Sequence, residues 1–250
     1  MTKKIDKYKV QAALVRSFFD AFSHGVIESQ VEDRKEKTTP QSVKKLMLEH
    51  YEHIAPAFFD TMFFPLAAMN YKYEDIAALA REAQQRGDDM MALVRTACGD
   101  EAYYNAMVEE YKRNFSMLLA GKYLSNADHL EGYVRKAKEE AEASVDSDRA
   151  IELTVRVVMF AYVRGLRQTG EDARFDRSAH LRQVHPLRGA TLFRLMLDAM
   201  NILLLDEAVD FADAEAADLA SLFLKVCQTQ HNFTVMTDEM DRTYSELMKE

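Results

Sequence analysis

Apolar side chains recur every three or four residues along most of the chain, and few residues interrupt them. The sequence of 250 residues contains only 8 glycines and 4 prolines. A spacing of three and four places apolar side chains on one face of an α-helix, whereas strands need alternation. We therefore predict an all-α fold, a multi-helix bundle of about nine or ten helices with no sheet. The clearest stripe consists of Tyr104, Val108, Tyr111, Phe115 and Leu118.

Several helix boundaries follow from local signals. Pro56 and Pro65 are predicted to kink or end the second helix, because proline lacks a backbone N–H. Residues 192–205 are apolar on nearly all sides, which predicts the most buried helix of the protein. Residues 214–248 are predicted to form a single last helix.

The sequence SVDSD at residues 144–148 is the best candidate for a break between two parts. It divides the chain into a helical N-terminal part, 1–145, and a helical C-terminal bundle, 146–250. Because 250 residues fit in one domain and no repeat of fixed period is visible, we expect the two parts to form one continuous domain.

Cysteine usage and hydropathy predict a cytoplasmic protein. Cys98 and Cys227 have no CxxC neighbour, which excludes a zinc ribbon and a thioredoxin-like motif. Two cysteines allow a single disulfide, but both lie in apolar helical stretches and we predict buried reduced thiols. The first ten residues lack the apolar segment of a signal peptide. The most apolar stretch, 54–69, is too short and too interrupted to span a bilayer.

Arginine replaces lysine completely between Lys138 and Lys225. Residues 156–194 contain eight arginines and three acids in a chain of net charge −9. Arginine's planar fork of donors suits carboxylates and phosphates, so this segment is a candidate site for an anion or nucleic acid. Pairing with the acidic residues 206–213 of the same chain is the interpretation that we favour. The candidate anion-binding residues are Arg164, Arg167, Arg174, Arg177, Arg182 and Arg188.

Arg174 and His180 are the one pair that suggests a reaction. Their spacing resembles that in helical ribonucleases of the HEPN type, where histidine would act as general acid or base and arginine would bind the phosphate. The resemblance covers two residues, and Phe175 stands where such motifs usually have a polar residue. The alternative is an arginine-rich loop without catalysis.

Metal and cofactor motifs are missing from the sequence. None of the 7 histidines follows a glutamate by three residues, and no phosphate-binding glycine loop is present. Glu49 and His53 could share a helical face, but we favour an exposed polar turn before Pro56 as their explanation. We therefore expect neither a metal nor another cofactor.

Four phenylalanines, Phe58, Phe59, Phe63 and Phe64, lie too close together in the sequence to share one helix face. Some are therefore expected to face the core, and the others form a candidate partner-binding surface. Methionines, among them Met90 and Met91, are predicted core fillers that would become adaptable contact surface where exposed.

These patterns favour a non-enzymatic role. We predict a helical interaction or regulatory subunit of a cytoplasmic assembly, with a protein partner and no membrane span. The alternative is a nucleic-acid- or nucleotide-associated protein that uses residues 156–194, in its sharpest form a HEPN-like RNase. The sequence sets no oligomeric state.

Overall fold

The computed structural model describes residues 3–31, 40–49, 51–120, 143–168, 189–205 and 219–247. Within these ranges the all-α prediction is confirmed, with ten helices and a single pair of three-residue strands. The strands are β1 (Lys4–Asp6) and β2 (Ser144–Asp146), the one departure from the predicted absence of a sheet in the described residues. The helices are α1 (Lys7–Val31), α2 (Pro40–Glu49), α3 (Tyr51–Asn70), α4 (Tyr73–Arg86), α5 (Met90–Ala97), α6 (Glu101–Leu119), α7 (Ser147–Gln168), α8 (Gly189–Leu204), α9 (Leu219–Cys227) and α10 (Gln230–Leu247).

Two helix boundaries differ from those predicted. Helix α3 continues through both Pro56 and Pro65, so neither proline ends it. The predicted last helix is two helices, α9 and α10, separated at Gln228, whose φ of 63° lies in the left-handed region. A residue in that region cannot continue a right-handed helix, which explains the break.

Helices α1 and α7 form the centre of the protein. Every side chain from residue 10 to residue 19 of α1 is buried, and α7 shows nearly the same pattern. Helix α8, which we predicted to be the most buried, has Leu203 in the core but exposes Phe193 and Arg194. One contiguous apolar core contains residues from both halves of the chain, so the division at residue 145 stays a prediction.

The starts of α1 and α7 are joined by a short strand pair in which each half of the chain makes the same contacts with the other. In the strand pair Ile5 lies opposite Val145, with Lys4 opposite Asp146 and Asp6 opposite Ser144. Beside this pair the Lys7 N–H donates to the Ala143 carbonyl at 3.1 Å, and the Ser147 N–H donates to the Lys3 carbonyl at 2.8 Å. The two bonds are equivalent under a shift of 140 positions, because Ser147 corresponds to Lys7 and Ala143 corresponds to Lys3, just as Val145 corresponds to Ile5.

The same reciprocity governs the crossing of α1 and α7. A Cβ atom on Gly25 would overlap the Tyr162 carbonyl oxygen, and a Cβ atom on Gly165 would overlap the Phe22 carbonyl oxygen. Gly165 follows Gly25, and Tyr162 follows Phe22, by the same 140 positions. The two backbones therefore touch at this crossing, and only glycine permits that distance.

The later helices also correspond in pairs. Cys227, at the end of α9, lies 129 positions after Cys98, at the end of α5, and both are buried. The residues that follow them, Gly99 and Gln228, both have left-handed φ angles, of 80° and 63°. Burial along residues 104–118 of α6 is the same at every position as along residues 233–247 of α10.

Capping of α6 and α10 follows this correspondence too. The Asp100 side chain accepts from the Tyr103 N–H at 2.8 Å, and the Thr229 hydroxyl accepts from the Asn232 N–H at 3.1 Å. Different side chains thus satisfy the same free backbone donor at the start of each helix.

The described chain therefore contains one helical unit twice, a repeat that inspection of the sequence missed. Strand, central helix and final helix pair recur in the same order, from β1 to α6 and from β2 to α10. The separation falls from 140 positions at the strands to 129 at the cysteines because the connections differ in length. No fixed period exists, and a search for one cannot detect the repeat.

The crossing of α1 and α7 predicts a severe effect of one added methyl group. Gly165→Ala should lower the free energy of unfolding by more than about 3 kcal/mol, because the Phe22 carbonyl cannot move without shifting α1. Gly25→Ala should have a similar effect. Chemical denaturation measures both.

Gly87→Ala is the matched control, since nothing lies within 4 Å of a Cβ atom there and only the left-handed φ of 75° opposes the change. It should lower stability by only about 1 kcal/mol. Equal losses at Gly87 and Gly165 would contradict the close crossing.

Candidate functional site

A buried ion network connects α7 to α10 in the second repeat. The Glu239 carboxylate, only 2% exposed, accepts from Arg156 at 3.2 Å, from Arg242 at 2.6 Å and from the Thr243 hydroxyl at 3.2 Å. Glu246 binds the other side of the Arg156 guanidinium, at 2.7 Å to Nη2. A buried carboxylate with this many donors is stable because its charge and its hydrogen-bonding capacity are both satisfied.

The Arg156 guanidinium is also covered by aromatic rings. Its central carbon lies 5.3 Å from the Phe64 ring centroid and 5.7 Å from that of Phe160. Burial by itself lowers the pKa of Arg156, but the hydrogen bonds and charges of Glu246 and Glu239 outweigh it and raise the pKa. This arginine therefore stays charged and is committed to the interior.

The first repeat has the corresponding acid but pairs it differently. Glu110, 4% exposed, accepts from the Asn114 amide at 2.6 Å, and its Oε2 lies 3.4 Å from Arg113 Nη1. That Oε2 and the Asn114 Oδ1 are buried without a hydrogen-bond donor among the described residues. Such under-satisfied acceptors cost stability and are uncommon in protein interiors.

A second polar cluster joins the start of α1 to α3 and α6. The Lys7 ammonium donates to the Asn70 side-chain oxygen and lies 4.4 Å from the Tyr103 ring centroid. The Tyr103 hydroxyl donates to the Lys7 carbonyl at 2.9 Å, and the Asn70 amide donates to the Ala97 carbonyl at 2.9 Å. Burial lowers the pKa of Lys7 and raises that of Tyr103. The cluster therefore links α1, α3, α5 and α6 through hydrogen bonds.

The arginine segment is only partly covered by the described residues. Within them, Arg156 pairs with Glu239 and Glu246, and Arg164 pairs with Asp60 of α3. These acids belong to neither the predicted loop 206–213 nor an external ligand. The segment's other candidates lie outside the described side chains: Arg167, Arg174, Arg177, Arg182 and Arg188, together with His180.

Of the four phenylalanines of α3, one lies in the core and three lie at its edge. Phe58 is fully buried and contacts Phe18, Phe19 and Tyr111, with ring centroids 5.1, 6.1 and 4.7 Å away. Phe59, Phe63 and Phe64 are half-buried and pack against the same core. Phe58 is therefore unavailable to a partner.

Glu49 and His53, the candidate metal pair, are both exposed. Glu49 lies 3.9 Å from Lys45. Among the described residues, no group of three or more His, Cys, Asp and Glu side chains could hold a metal ion. The two buried cysteines are free thiols, with pKa values raised by burial to about 12 for Cys98 and about 11 for Cys227.

Three of the large apolar side chains that are exposed among the described residues lie on one short helix of each repeat, and the others are Leu48, Tyr51, Tyr73 and Phe193. Helix α5 packs against α3 through Val94 and Ala97, and it leaves Met90 and Met91 37% and 48% exposed. Helix α9, its counterpart, leaves Leu224 49% exposed. We name the exposed faces of α5 and α9 the outer-helix surfaces. Beside the second one, Phe193 of α8 is exposed and contacts Phe223, with centroids 5.6 Å apart.

Comparison with known proteins returns no match from family models, curated proteins or solved structures. No helix in the described ranges is long and apolar enough to cross a membrane.

Sequence reasoning missed the ion network, although one signal was visible. The pattern Glu-x-x-Arg occurs on α6 as Glu110 and Arg113 and on α10 as Glu239 and Arg242, and in both helices the acid is buried and the arginine is exposed. An acid inside an apolar stripe predicts that its side chain has a buried partner. The partner of Glu239 is Arg156 on another helix, which spacing within α10 cannot indicate.

Removing the arginine of the network should be costly. Arg156→Met should lower the free energy of unfolding by about 3 kcal/mol or more, because Glu239 would keep its buried charge and lose a donor. Arg95→Met is the matched control: Arg95 binds Glu101 through two hydrogen bonds on the surface, and its loss should hardly change stability. Equal effects in urea denaturation would contradict the assignment.

The buried thiols predict a loss of stability in alkali. Their folded pKa values, about 12 and about 11, exceed the ordinary 9.0, so the folded state retains protons that the unfolded state releases. Stability should therefore be unaffected by these thiols below pH 9 and fall between pH 9 and 12. Relative to wild type, Cys98→Ala should flatten that fall, as measured by urea denaturation at a series of pH values. An unchanged slope would contradict this prediction.

Proposed function

We propose that the chain is a non-enzymatic interaction or regulatory subunit of a cytoplasmic assembly, and that it binds a protein partner through the outer-helix surfaces. The observation that carries this proposal is the exposure of Met91 and Leu224 on corresponding helices of the two repeats. Methionine and leucine at such positions contribute apolar area, and methionine adapts its shape to a partner.

The difference between the repeats supports binding rather than packing as the reason for these residues. Where the second repeat has Leu224, the first has the charged Arg95, 129 positions earlier, which binds Glu101. The core positions of the same helices, Val94 and Phe223, are buried in both. Selection for the core alone explains an apolar residue at 94 and 223, but it gives no reason for one at 224.

The nucleic-acid alternative gains no support from the described residues. Arg156 and Arg164 are paired with acids of the chain itself. The carboxylates that already neutralise these guanidinium groups reduce the attraction that either arginine would have for a phosphate.

Affinity capture from the native cell tests the proposal. Met91→Glu and Leu224→Glu should each remove or weaken a co-purifying protein, because a charge would be buried at the contact. Gln85→Glu is the matched control, since Gln85 is exposed on α4 and carries no apolar surface. It should leave the captured protein unchanged.

Nuclease treatment separates the two functions. A partner that persists after treatment and is lost in the Met91 or Leu224 variant supports the proposal. Capture that depends on nucleic acid and is unaffected by both variants would contradict it and favour the arginine segment.

A further inference from the structure

Exposure divides the methionines of the chain into two groups. Most of those in the described ranges lie in the core, and Met62, Met107 and Met236 have no exposed area. Met90 and Met91 are the two that the described part of the chain leaves exposed, at 37% and 48%. They are adjacent in the sequence, at the first two positions of α5. Two polarizable thioethers therefore lie together at one point of the surface.

Helix α5 is held in place by other residues. Val94 and Ala97 are buried where α5 packs against α3. The Asp89 side chain accepts from the Ala92 N–H at 2.8 Å and caps the first turn. Because neither contact uses a methionine side chain, a polar atom added to the two sulfurs leaves the attachment of α5 unchanged.

Peroxides oxidise the methionine thioether by transfer of one oxygen atom. A sulfur lone pair attacks one oxygen of hydrogen peroxide, the O–O bond breaks, and the second oxygen leaves as water after proton transfer. The sulfur loses two electrons and the peroxide gains them. The sulfoxide product is polar, so reaction at Met90 and Met91 removes the apolar character of the large side chains that α5 exposes.

The second repeat lacks this chemistry at the corresponding place. Leu219 and Ala220 stand 129 positions after Met90 and Met91, and neither contains sulfur. Leu224, the large apolar side chain that α9 exposes, has no thioether to oxidise. One oxidant therefore distinguishes the two outer-helix surfaces, although they lie on corresponding helices.

We propose that Met90 and Met91 form a modification site for peroxides, and that their oxidation makes the first outer-helix surface polar while the core and the second surface stay unchanged. The site itself follows from the exposure of the two thioethers and the burial of most others. Its consequence for a partner, which is the loss of binding at α5, rests on the proposed function.

Limited oxidation with hydrogen peroxide tests the site without a partner. Peptide mass spectrometry should show Met90 and Met91 gaining oxygen at least about tenfold faster than Met107 and Met236, because a buried sulfur reacts only after local opening of the core. The oxidised protein should be retained less on a phenyl column and should keep the melting temperature of the untreated protein.

Two variants serve as controls. The double variant Met90→Leu with Met91→Leu keeps the apolar surface but has no sulfur there, so its retention should not change after oxidation. Met107→Leu removes a buried sulfur instead, and its retention should fall as that of wild type does. Equal oxidation rates at exposed and buried methionines would overturn the proposal. So would unchanged retention of oxidised wild type, or an equal decrease in the double leucine variant.

Affinity capture with the oxidised protein, freed of peroxide, tests the consequence for a partner. A protein that is lost from oxidised wild type and kept by the oxidised double leucine variant supports the inference. A partner that Met91→Glu removes and oxidation leaves bound overturns the inference and leaves the proposed function standing. Capture of no protein by either surface counts against the proposed function, and the rate and retention measurements still decide whether the modification site exists.

Discussion

The contact of two helix backbones at Gly25 and Gly165 determines how the rest of the protein is arranged. At that crossing the helices α1 and α7 leave no room for a side chain between their backbones, which fixes the distance between them. The strand pair Ile5 and Val145 fixes the other end of the same two helices. With both ends determined, the remaining helices of each repeat have one place to pack, on the flanks of the central pair.

The two repeats preserve burial more strictly than residue identity. Met107 and Met236 are both buried, and Asn114 is matched by Thr243, which is buried to the same extent although the residue differs. Buried volume is under strong constraint because cavities and overpacking both cost stability. Polar pairing inside the core has more solutions, and the halves have taken different ones.

The helical class and several boundaries could be predicted from the sequence because they depend on local spacing. The caps at Asp89 and Asp100 and the turns at Gly87 and Gly99 are signals of this kind. Which helix is the most buried could not be predicted, since α8 is more uniformly apolar than α1 and yet exposes Phe193. Position in the core depends on which helices cross closely, and a pair of glycines 140 residues apart does not reveal that in a single sequence.

Candidate sites were harder to predict than the fold for a related reason. Arg156 and Arg164 belong to a basic segment, and their charge suggested an external anion. Their partners, Glu239 and Asp60, are distant in sequence and lie within acidic or apolar stretches. The net charge of a segment determines its long-range field, but the local partner of each guanidinium determines whether it can bind anything else.

With Arg156 and Arg164 paired to acids of the chain itself, the outer-helix surfaces are another place where the repeats differ in chemistry. Arg95 and Leu224 occupy corresponding positions with opposite character, and Met91 is exposed on the first of these helices. A duplicated core frees one copy of a surface from the constraint on the other, because stability depends on the buried positions that both copies share. This difference between the repeats is the physical reason to look for the proposed partner contact on α5 and α9.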